Sequence, residues 1–284
     1  MKNIIIALLL FYFPLSAKTV KWIPFDISNG LIILKVKVKN HEIKAMFDTG
    51  AQRSLMDSDT AKKIGLVSKS RTTIHGIAGK ISAKNTYKVY VEVGKVKTKV
   101  SPVKILGFQK KDKAKFDMIL GADYLKKIGV VNIDYKNKKI SFENLKSKDK
   151  KRHKIPLHVS SRKIYTKATA NNRKKIRLII DTGNTSAIFL KYKTAYKLGL
   201  REDQKTKSKS SGVTRDFSTY KGKLKSLKIG KLELKDVNTH FPGKDKKLKF
   251  NRSNYDGLLG YKILKDFLVT IDMKKKVMYL LEQK

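Results

Sequence analysis

The feature that most constrains this chain of 284 residues is an internal repeat. An apolar residue followed by Asp-Thr-Gly occurs at positions 47–50 and again at 180–183, each time after an apolar run. Two apolar residues followed by glycine recur in the same order at 119–121 and 258–260. The offset between the copies is 133 residues at the aspartates and 139 at the later glycines, a slow drift that indicates duplication with small loop insertions. The sequence therefore predicts two similar halves.

The predicted organisation follows from this repeat and from local composition. Each half alternates apolar and polar residues with a period of two, is broken by glycine turns and carries two short helical patterns, which predicts an all-β fold with helical decoration. We predict a first lobe at 18–145, a charged linker at 146–154 and a second lobe at 155–284, preceded by an export signal at 1–17. The extra residues of the second half fall at 244–254, which we interpret as a solvated surface loop.

The composition limits the chemistry that the chain can perform. It contains no cysteine, which excludes disulfides, thiolate metal sites, iron–sulfur clusters and a cysteine nucleophile. The chain is 40% hydrophobic, which excludes wholesale disorder. Any catalysis must therefore use oxygen or imidazole groups.

A single Asp-Thr-Gly turn is a weak signal, but two copies in matched halves are informative. Lobes related by a twofold axis bring Asp48 and Asp181 together, and two adjacent carboxyl groups cannot both ionise. One keeps a proton while the other is charged, so the pair offers an acid and a base at once. Such a pair suits the attack of water on an amide, because the ionised group takes a proton from water and the protonated group bonds to the carbonyl oxygen.

The residues that follow each aspartate fit the same interpretation. Gly50 and Gly183 have no side chain that would block the approach of the two turns, and backbone N–H groups in a tight turn can donate to the carboxylates. Thr49 and Thr182 carry hydroxyl groups that can form hydrogen bonds across the interface.

These motifs resemble those of the retropepsin-like aspartic peptidases, in the two-lobed single-chain form of the pepsins. The resemblance covers about 240 residues. It implies two retropepsin-like β-barrel lobes, the acid-protease fold, related by a pseudo-twofold axis around a central cleft. It also implies that Asp48 and Asp181 are the catalytic pair, and that Thr49, Gly50, Thr182 and Gly183 support them.

The resemblance further implies a flap hairpin at 74–80 that closes over the cleft and binds substrate. Its candidate residues are His75, Gly76, Ile77, Ala78 and Gly79. The region at 211–213 would be the counterpart in the second half. Two positions depart from the family pattern: His75 lies where a flap usually carries tyrosine, and Asn184 follows the second motif where alanine, serine or threonine is usual.

Two functions are consistent with these residues. The first is an aspartic endopeptidase that cleaves a peptide or protein substrate as a monomer, with neither metal nor organic cofactor. The second is a non-catalytic protein of the same fold that holds peptides or acidic partners through the cleft and the basic surface. Retention of both aspartates favours the enzyme, since a binder has no need of two carboxyl groups whose repulsion costs stability. Exchange of lobes between two chains stays open.

The charge of the chain predicts its weaker associations. Lys and Arg number 66 against 23 Asp and Glu, which gives a formal net charge of +43, and only nine of the basic residues are arginine. Lysines alternate along strand-like runs, as at Lys35, Lys37 and Lys39, which is typical of solvated strand faces. We expect weak, nonspecific attraction to polyanions or to an anionic membrane surface, and no specific nucleic acid partner.

The N-terminal residues indicate export. Lys2 is followed by an apolar run at 4–15 and by Ser16 and Ala17, the pattern of a secretory signal with cleavage after Ala17. The run is shorter than the ~20 residues that span a bilayer. We expect a periplasmic or secreted protein, or a membrane-anchored one if the signal is not cleaved.

Overall fold

The computed structural model is a two-lobed, all-β structure with short helices, as the repeat predicts. It describes residues 20–77, 79–109, 112, 115–145, 151–160, 163–211, 216–244 and 248–283. Among these residues, no helix has both the length and the apolar character needed to cross a membrane.

Several positions named above lie outside the described residues. They are the predicted export signal at 1–17, most of the predicted linker (146–150), Ala78 at the flap tip, and Gly212 and Val213 in the second-half counterpart of the flap.

The first lobe contains thirteen strands and two helices among the described residues. In chain order they are β1 (Ile23–Pro24), β2 (Asp26–Ser28), β3 (Leu31–Val38), β4 (His41–Phe47), β5 (Leu55–Asp57), α1 (Ser58–Lys63), β6 (Ser70–Gly76), β7 (Gly79–Thr86), β8 (Val89–Val93), β9 (Val96–Val100), β10 (Val103–Leu106), β11 (Met118–Leu120), α2 (Ala122–Ile128), β12 (Val130–Asp134) and β13 (Lys139–Ser141).

The second lobe repeats this plan with eleven described strands and two helices. They are β14 (His153–Pro156), β15 (His158–Ser160), β16 (Lys163–Ala170), β17 (Lys174–Ile180), β18 (Ile188–Leu190), α3 (Tyr192–Lys197), β19 (Ser208–Ser211), β20 (Asp216–Ile229), β21 (Leu232–Pro242), β22 (Gly257–Leu259), α4 (Tyr261–Leu264), β23 (Phe267–Asp272) and β24 (Val277–Glu282). Two 3₁₀ turns accompany them, Gln204–Thr206 and Lys249–Arg252.

Each lobe has its own sheet, and the two sheets are built alike. The order in the first lobe is β6-β7-β10-β5-β11-β4-β3-β8-β9, with β2 paired to β3. The order in the second lobe is β15-β16-β17-β22-β18-β21-β20-β19. In both, the strand before the Asp-Thr-Gly turn pairs in parallel with the strand before the later glycine, Phe47 with Leu120 and Ile180 with Leu259. The same local sequence therefore produces the same strand crossing twice.

A third sheet of six strands joins the lobes in the order β1-β13-β12-β23-β24-β14. Its central pair, β12 and β23, brings one strand from each half together, with Asn132 opposite Thr270. The Thr270 hydroxyl donates to Oδ1 of Asn132 at 2.8 Å, and both strands are buried along most of their length. Strand β14 starts at His153, so the last residues of the predicted linker are part of this shared sheet.

The alternating sequence pattern explains where the core lies. In β3 the apolar residues Val36 and Val38 are buried while Lys35 and Lys37 between them are exposed. One large apolar core runs through both lobes, with a smaller cluster on each side. The first-lobe cluster consists of Ile33, Met46, Leu55, Ala83, Leu106, Phe108, Phe116 and Ile119. The second-lobe cluster consists of Ile179, Phe189, Phe217, Leu248, Phe250 and Leu258.

The interpretation of residues 244–254 as a solvated loop is wrong for part of the segment. Leu248 is 1% exposed and Phe250 is 5% exposed, and both belong to the second-lobe cluster. The neighbouring lysines make this segment look polar in the sequence. A single 3₁₀ turn at Lys249–Arg252 places Phe250 in the core, next to Leu248.

Candidate active site

The two Asp-Thr-Gly turns begin where β4 and β17 leave their sheets. The N–H of Asp48 donates to the carbonyl of Leu120 at 2.9 Å, and the N–H of Asp181 donates to the carbonyl of Leu259 at 3.0 Å. Close packing behind each turn requires the later glycines. A Cβ atom at Gly121 would lie 2.7 Å from the carbonyl oxygen of Ala51, a separation that real Cβ atoms do not show.

The threonines of the two turns lock the lobes together. The N–H of Thr49 donates to the hydroxyl of Thr182 at 3.0 Å, and the N–H of Thr182 donates to the hydroxyl of Thr49 at 3.1 Å. Each hydroxyl in turn donates at 2.7 Å to the other lobe, Thr49 to the carbonyl of Ile180 and Thr182 to the carbonyl of Phe47. Both side chains are fully buried, so this reciprocal network fixes the separation of the turns.

The network brings the carboxyl groups of Asp48 and Asp181 into hydrogen-bond contact. The glycines of the motifs leave the space for this contact. A Cβ atom at Gly183 would lie 2.6 Å from Cγ of Asp48, and one at Gly50 would overlap the carboxyl group of Asp181. Side chains at these two positions would therefore push the carboxyl groups apart.

Backbone N–H groups supply donors to both carboxylates. Oδ1 of Asp48 accepts from Gly50 at 2.8 Å and from Ala51 at 3.1 Å. Oδ1 of Asp181 accepts from Gly183 at 2.9 Å. Such donors stabilise the charged form of a carboxyl group and so oppose the effect of burial.

The two carboxyl groups differ in proton affinity. Burial raises the pKa of Asp48, and its hydrogen bonds to Asp181 and to the turn N–H groups act in the opposite direction. Burial and then the negative charge of Asp48 raise the pKa of Asp181 well above the ordinary value for a carboxyl group. The two groups therefore titrate as a pair, which keeps one proton after the first has been lost.

The side chains that support the two turns differ between the lobes. In the first lobe the Ser54 hydroxyl donates to Asp123 at 2.7 Å and accepts the N–H of Gly121 at 3.1 Å. In the second lobe Oδ1 of Asn184 accepts from the hydroxyl of Ser186 at 2.8 Å and from its N–H at 3.2 Å. The unusual Asn184 thus closes its turn with its own side chain.

The β6–β7 hairpin extends from the first lobe to the second. His75 pairs with Lys80 and Gly76 with Gly79, which places Ile77 at the described tip. Ile77 packs against the second-lobe cluster, and its carbonyl accepts the N–H of Phe250 at 3.4 Å. His75 also contacts Nζ of Lys249 through Nδ1. The structure therefore brings the predicted flap residues to the opposite lobe.

Lys163 is a residue of this region that the sequence interpretation missed. Tyr165 pairs with Ile179 in the last pair of the β16–β17 ladder, and continuing this register by two residues brings Lys163 level with Asp181. Alignment of the two repeats could have identified Lys163. The equivalent residue of the first lobe, at the same register relative to Asp48, is the apolar Leu31, so the repeats differ at this position.

The described residues contain no cluster of three or more His, Asp or Glu side chains that could hold a metal ion. The site consists of two hydrogen-bonded carboxyl groups, from matching turns of two β lobes, beside a hairpin that reaches from one lobe to the other. This is the architecture of the two-lobed acid proteases.

Comparison with family models agrees with the geometry. Residues 34–127 match the gag-polyprotein aspartyl protease family, and residues 166–263 match the aspartyl protease family. The chain therefore belongs to the retropepsin-like aspartic peptidases, with two such domains in tandem. No curated protein sequence matches it.

Proposed function

We propose that the protein is an exported aspartic endopeptidase in which Asp48 and Asp181 activate a water molecule. The observation that carries this proposal is the hydrogen-bonded carboxyl pair, with the pKa of Asp181 raised well above that of an ordinary carboxyl group. A pair in this state holds one proton between two groups over the acid to neutral range, which is what general acid–base hydrolysis of an amide requires.

The proposed chemistry uses one charged and one protonated carboxyl group. The Asp48 carboxylate takes a proton from water as the water oxygen bonds to the peptide carbonyl carbon, while Asp181 donates its proton to the carbonyl oxygen. In the tetrahedral intermediate the carbon carries two hydroxyl groups. The proton on Asp48 then passes to the amide nitrogen, the C–N bond breaks, and Asp181 recovers its proton from a hydroxyl group as the carboxylic acid forms. The pair ends in its starting state.

Export is the part of the proposal that depends on residues 1–17. A basic residue, an apolar run of twelve residues and the Ser16-Ala17 end support a secretory signal. The absence of cysteine is compatible with an oxidising compartment, since no thiol would need protection.

Replacement of each aspartate tests the catalytic proposal. Asp48→Ala and Asp181→Ala should each reduce cleavage of a broad peptide library by at least about 100-fold, because one carboxyl group cannot provide both the base and the acid. The double variant should be no slower than either single variant, since the pair acts as a unit. Product peptides quantified by mass spectrometry from pH 3 to pH 7 give the rates.

Asp266→Ala is the matched control, since Asp266 is an exposed carboxylate of the second lobe. Its activity should equal that of the parent. If the parent cleaves no peptide over this pH range but binds peptides, the protein is a binder of the same fold. A folded Asp48→Ala or Asp181→Ala variant as active as the parent would exclude the proposed mechanism.

A further inference from the structure

The lobes differ at one pair of equivalent positions beside the carboxyl groups. In the first lobe Ile33 pairs with Met46, and the register continues to Leu31 opposite Asp48. Leu31 packs against the first-lobe cluster. In the second lobe the same register places Lys163 opposite Asp181. Duplicated halves thus carry an apolar side chain on one side of the pair and an ammonium group on the other.

Lys163 contacts an aromatic ring, and the carboxyl group that acts on its charge is that of Asp181. Its Nζ lies 5.1 Å from the centre of the Tyr255 ring, and Tyr255 packs edge-on against Tyr165 at 5.2 Å between ring centres. Both tyrosines lie against the second-lobe cluster. Among the described residues, no carboxylate lies within 4 Å of Nζ to form an ion pair. The half-buried ammonium group therefore has an aromatic neighbour but, among the described residues, no carboxylate in direct ion-pair contact.

The electrostatic surroundings are consistent with this geometry. Burial lowers the pKa of Lys163, and the negative charge of Asp181 acts in the opposite direction. An ammonium group with an ordinary pKa near ~10.4 keeps its charge at the acidic pH at which the aspartate pair holds one proton. A half-buried charge without a direct ion pair costs free energy, which a carboxylate brought by a ligand would offset.

Other cations surround the same part of the second lobe. The guanidinium group of Arg177 lies 5.9 Å from the centre of the Tyr255 ring, the same ring that Lys163 contacts. Lys249 lies beside the flap residue His75, next to the buried Phe250. These positive charges would attract an acidic peptide segment to the second-lobe side.

We propose that Lys163 is a specificity-determining residue that binds the carboxylate of a glutamate or aspartate side chain of the peptide substrate. The acidic residue lies on the second-lobe side of the scissile bond, and an apolar residue lies against the first-lobe cluster near Leu31. This inference rests on the proposed peptidase function and names its substrate class, acidic peptides.

Paired peptides test this assignment. Peptides with the same apolar residue on one side of the cleaved bond and Glu or Gln on the other should differ at least tenfold in kcat/KM at about pH 5.5, in favour of Glu. This ratio should fall as the pH drops below ~4, where glutamate takes up a proton. It should also fall with added salt.

The variant Lys163→Leu reproduces the first-lobe residue and should bring the ratio of Glu to Gln peptides to about one. Lys167→Leu is the matched control, because Lys167 lies on the same strand with an exposed side chain. It should keep the parent ratio. If Lys163→Leu slows both peptides equally and shifts the pH–rate profile, Lys163 acts on Asp181 rather than on substrate, and the proposal is overturned.

Binding separates this inference from the proposed function. Fluorescence anisotropy of the same labelled peptides, measured on Asp48→Asn protein with and without Lys163→Leu, reports affinity in the absence of cleavage. A preference for Glu that disappears with Lys163→Leu supports the inference even if the parent proves inactive. Equal affinity for Glu and Gln peptides in the presence of Lys163 overturns it, whatever the activity of the parent.

Discussion

Asp48 and Asp181 each precede Thr-Gly in similar turns, and burial raises the pKa of both carboxyl groups. Asp48 accepts N–H bonds from Gly50 and Ala51 on one oxygen. Asp181 accepts from the backbone N–H groups of Gly183 and Asn184, and the negative charge of Asp48 raises its pKa further. The interaction between the two carboxyl groups therefore separates the loss of their protons, which no comparison of the two motifs alone would show.

The raised pKa of Asp181 has a consequence for stability. The folded protein holds this proton more tightly than the unfolded chain, so stability falls as pH rises from the unfolded-state pKa, near ~3.9, through the folded-state pKa. Asp181→Asn removes the group that loses the proton. We expect the variant to be more stable than the parent at pH 7, by about 1.4 kcal/mol for each pH unit by which the pKa is raised.

Urea unfolding of parent and variant at pH 7, 5 and 3 measures this difference. The advantage should shrink as the pH falls and vanish near pH 3, where both carboxyl groups are protonated in the folded and unfolded states. Asp266→Asn, at an exposed carboxyl group, should show no such trend. A gain that is equally large at pH 3 and pH 7 would show that the effect comes from packing rather than from the proton.

The site could be predicted from the sequence only where its chemistry lies in a contiguous motif. The two Asp-Thr-Gly motifs predict the carboxyl and hydroxyl groups of the site, because residue type and spacing are enough to identify them. Lys163 and Phe250 are brought to the site by strand register and by a 3₁₀ turn. Their roles depend on partners far away in the chain, which local pattern does not specify.

The β6–β7 hairpin contacts both lobes. Ile74 and Ile81 in its stem pack against the first-lobe cluster, whereas Ile77 at its tip packs against the second-lobe cluster. The N–H of Phe250 adds a weak hydrogen bond to the Ile77 carbonyl. Among the described residues, Ile77 thus provides an apolar contact of the tip with the second lobe, beside the contact of His75 with Lys249.

Ile77→Ser should release the tip while leaving the fold intact. Loss of the apolar contact, worth roughly 1–2 kcal/mol, should speed hydrogen exchange of amides in β6 and β7 about tenfold and raise KM for peptides. Thr73→Ala is the control, since Thr73 lies in the same strand with an exposed side chain. Mass spectrometry of peptides from residues 70–86 measures the hydrogen-exchange rates. If these rates are the same in Ile77→Ser and the parent, the Ile77 contact does not hold the hairpin.

The ends of helices could be predicted where a local residue determines them. Helices α1 and α3 end just before Gly65 and Gly199, whose positive φ angles of 65° and 85° are the left-handed conformation that glycine favours. The pairing of β12 with β23 was not predictable, because both strands are largely buried and their sequences do not specify a partner.

Two sets of contacts together fix the position of one lobe relative to the other. The shared six-stranded sheet fixes one side of the interface, and the threonine network fixes the turns that carry the aspartates. Their combination explains how a duplicated chain can build a site that neither half contains alone. The outer strand faces carry lysines instead, as in β3, where Lys35 and Lys37 are exposed.

The excess of exposed lysines predicts how the protein behaves around anionic surfaces. A net charge of +43, dispersed rather than arranged for base recognition, should give attachment to anionic polymers or lipids that is independent of sequence and is lost with salt. We therefore expect raised salt to release the exported protein from its producing cells, and N-terminal sequencing of the released fraction to begin at Lys18. Recovery of full-length protein only with detergent would show that residues 1–17 act as a membrane anchor rather than as a cleaved signal.

The same charge makes a prediction for nucleic acid binding. Purified protein should bind DNA duplexes of two unrelated sequences equally at ~50 mM salt and should bind neither at ~300 mM. Salt-resistant preference for one duplex would show that the lysines form a specific nucleic acid site.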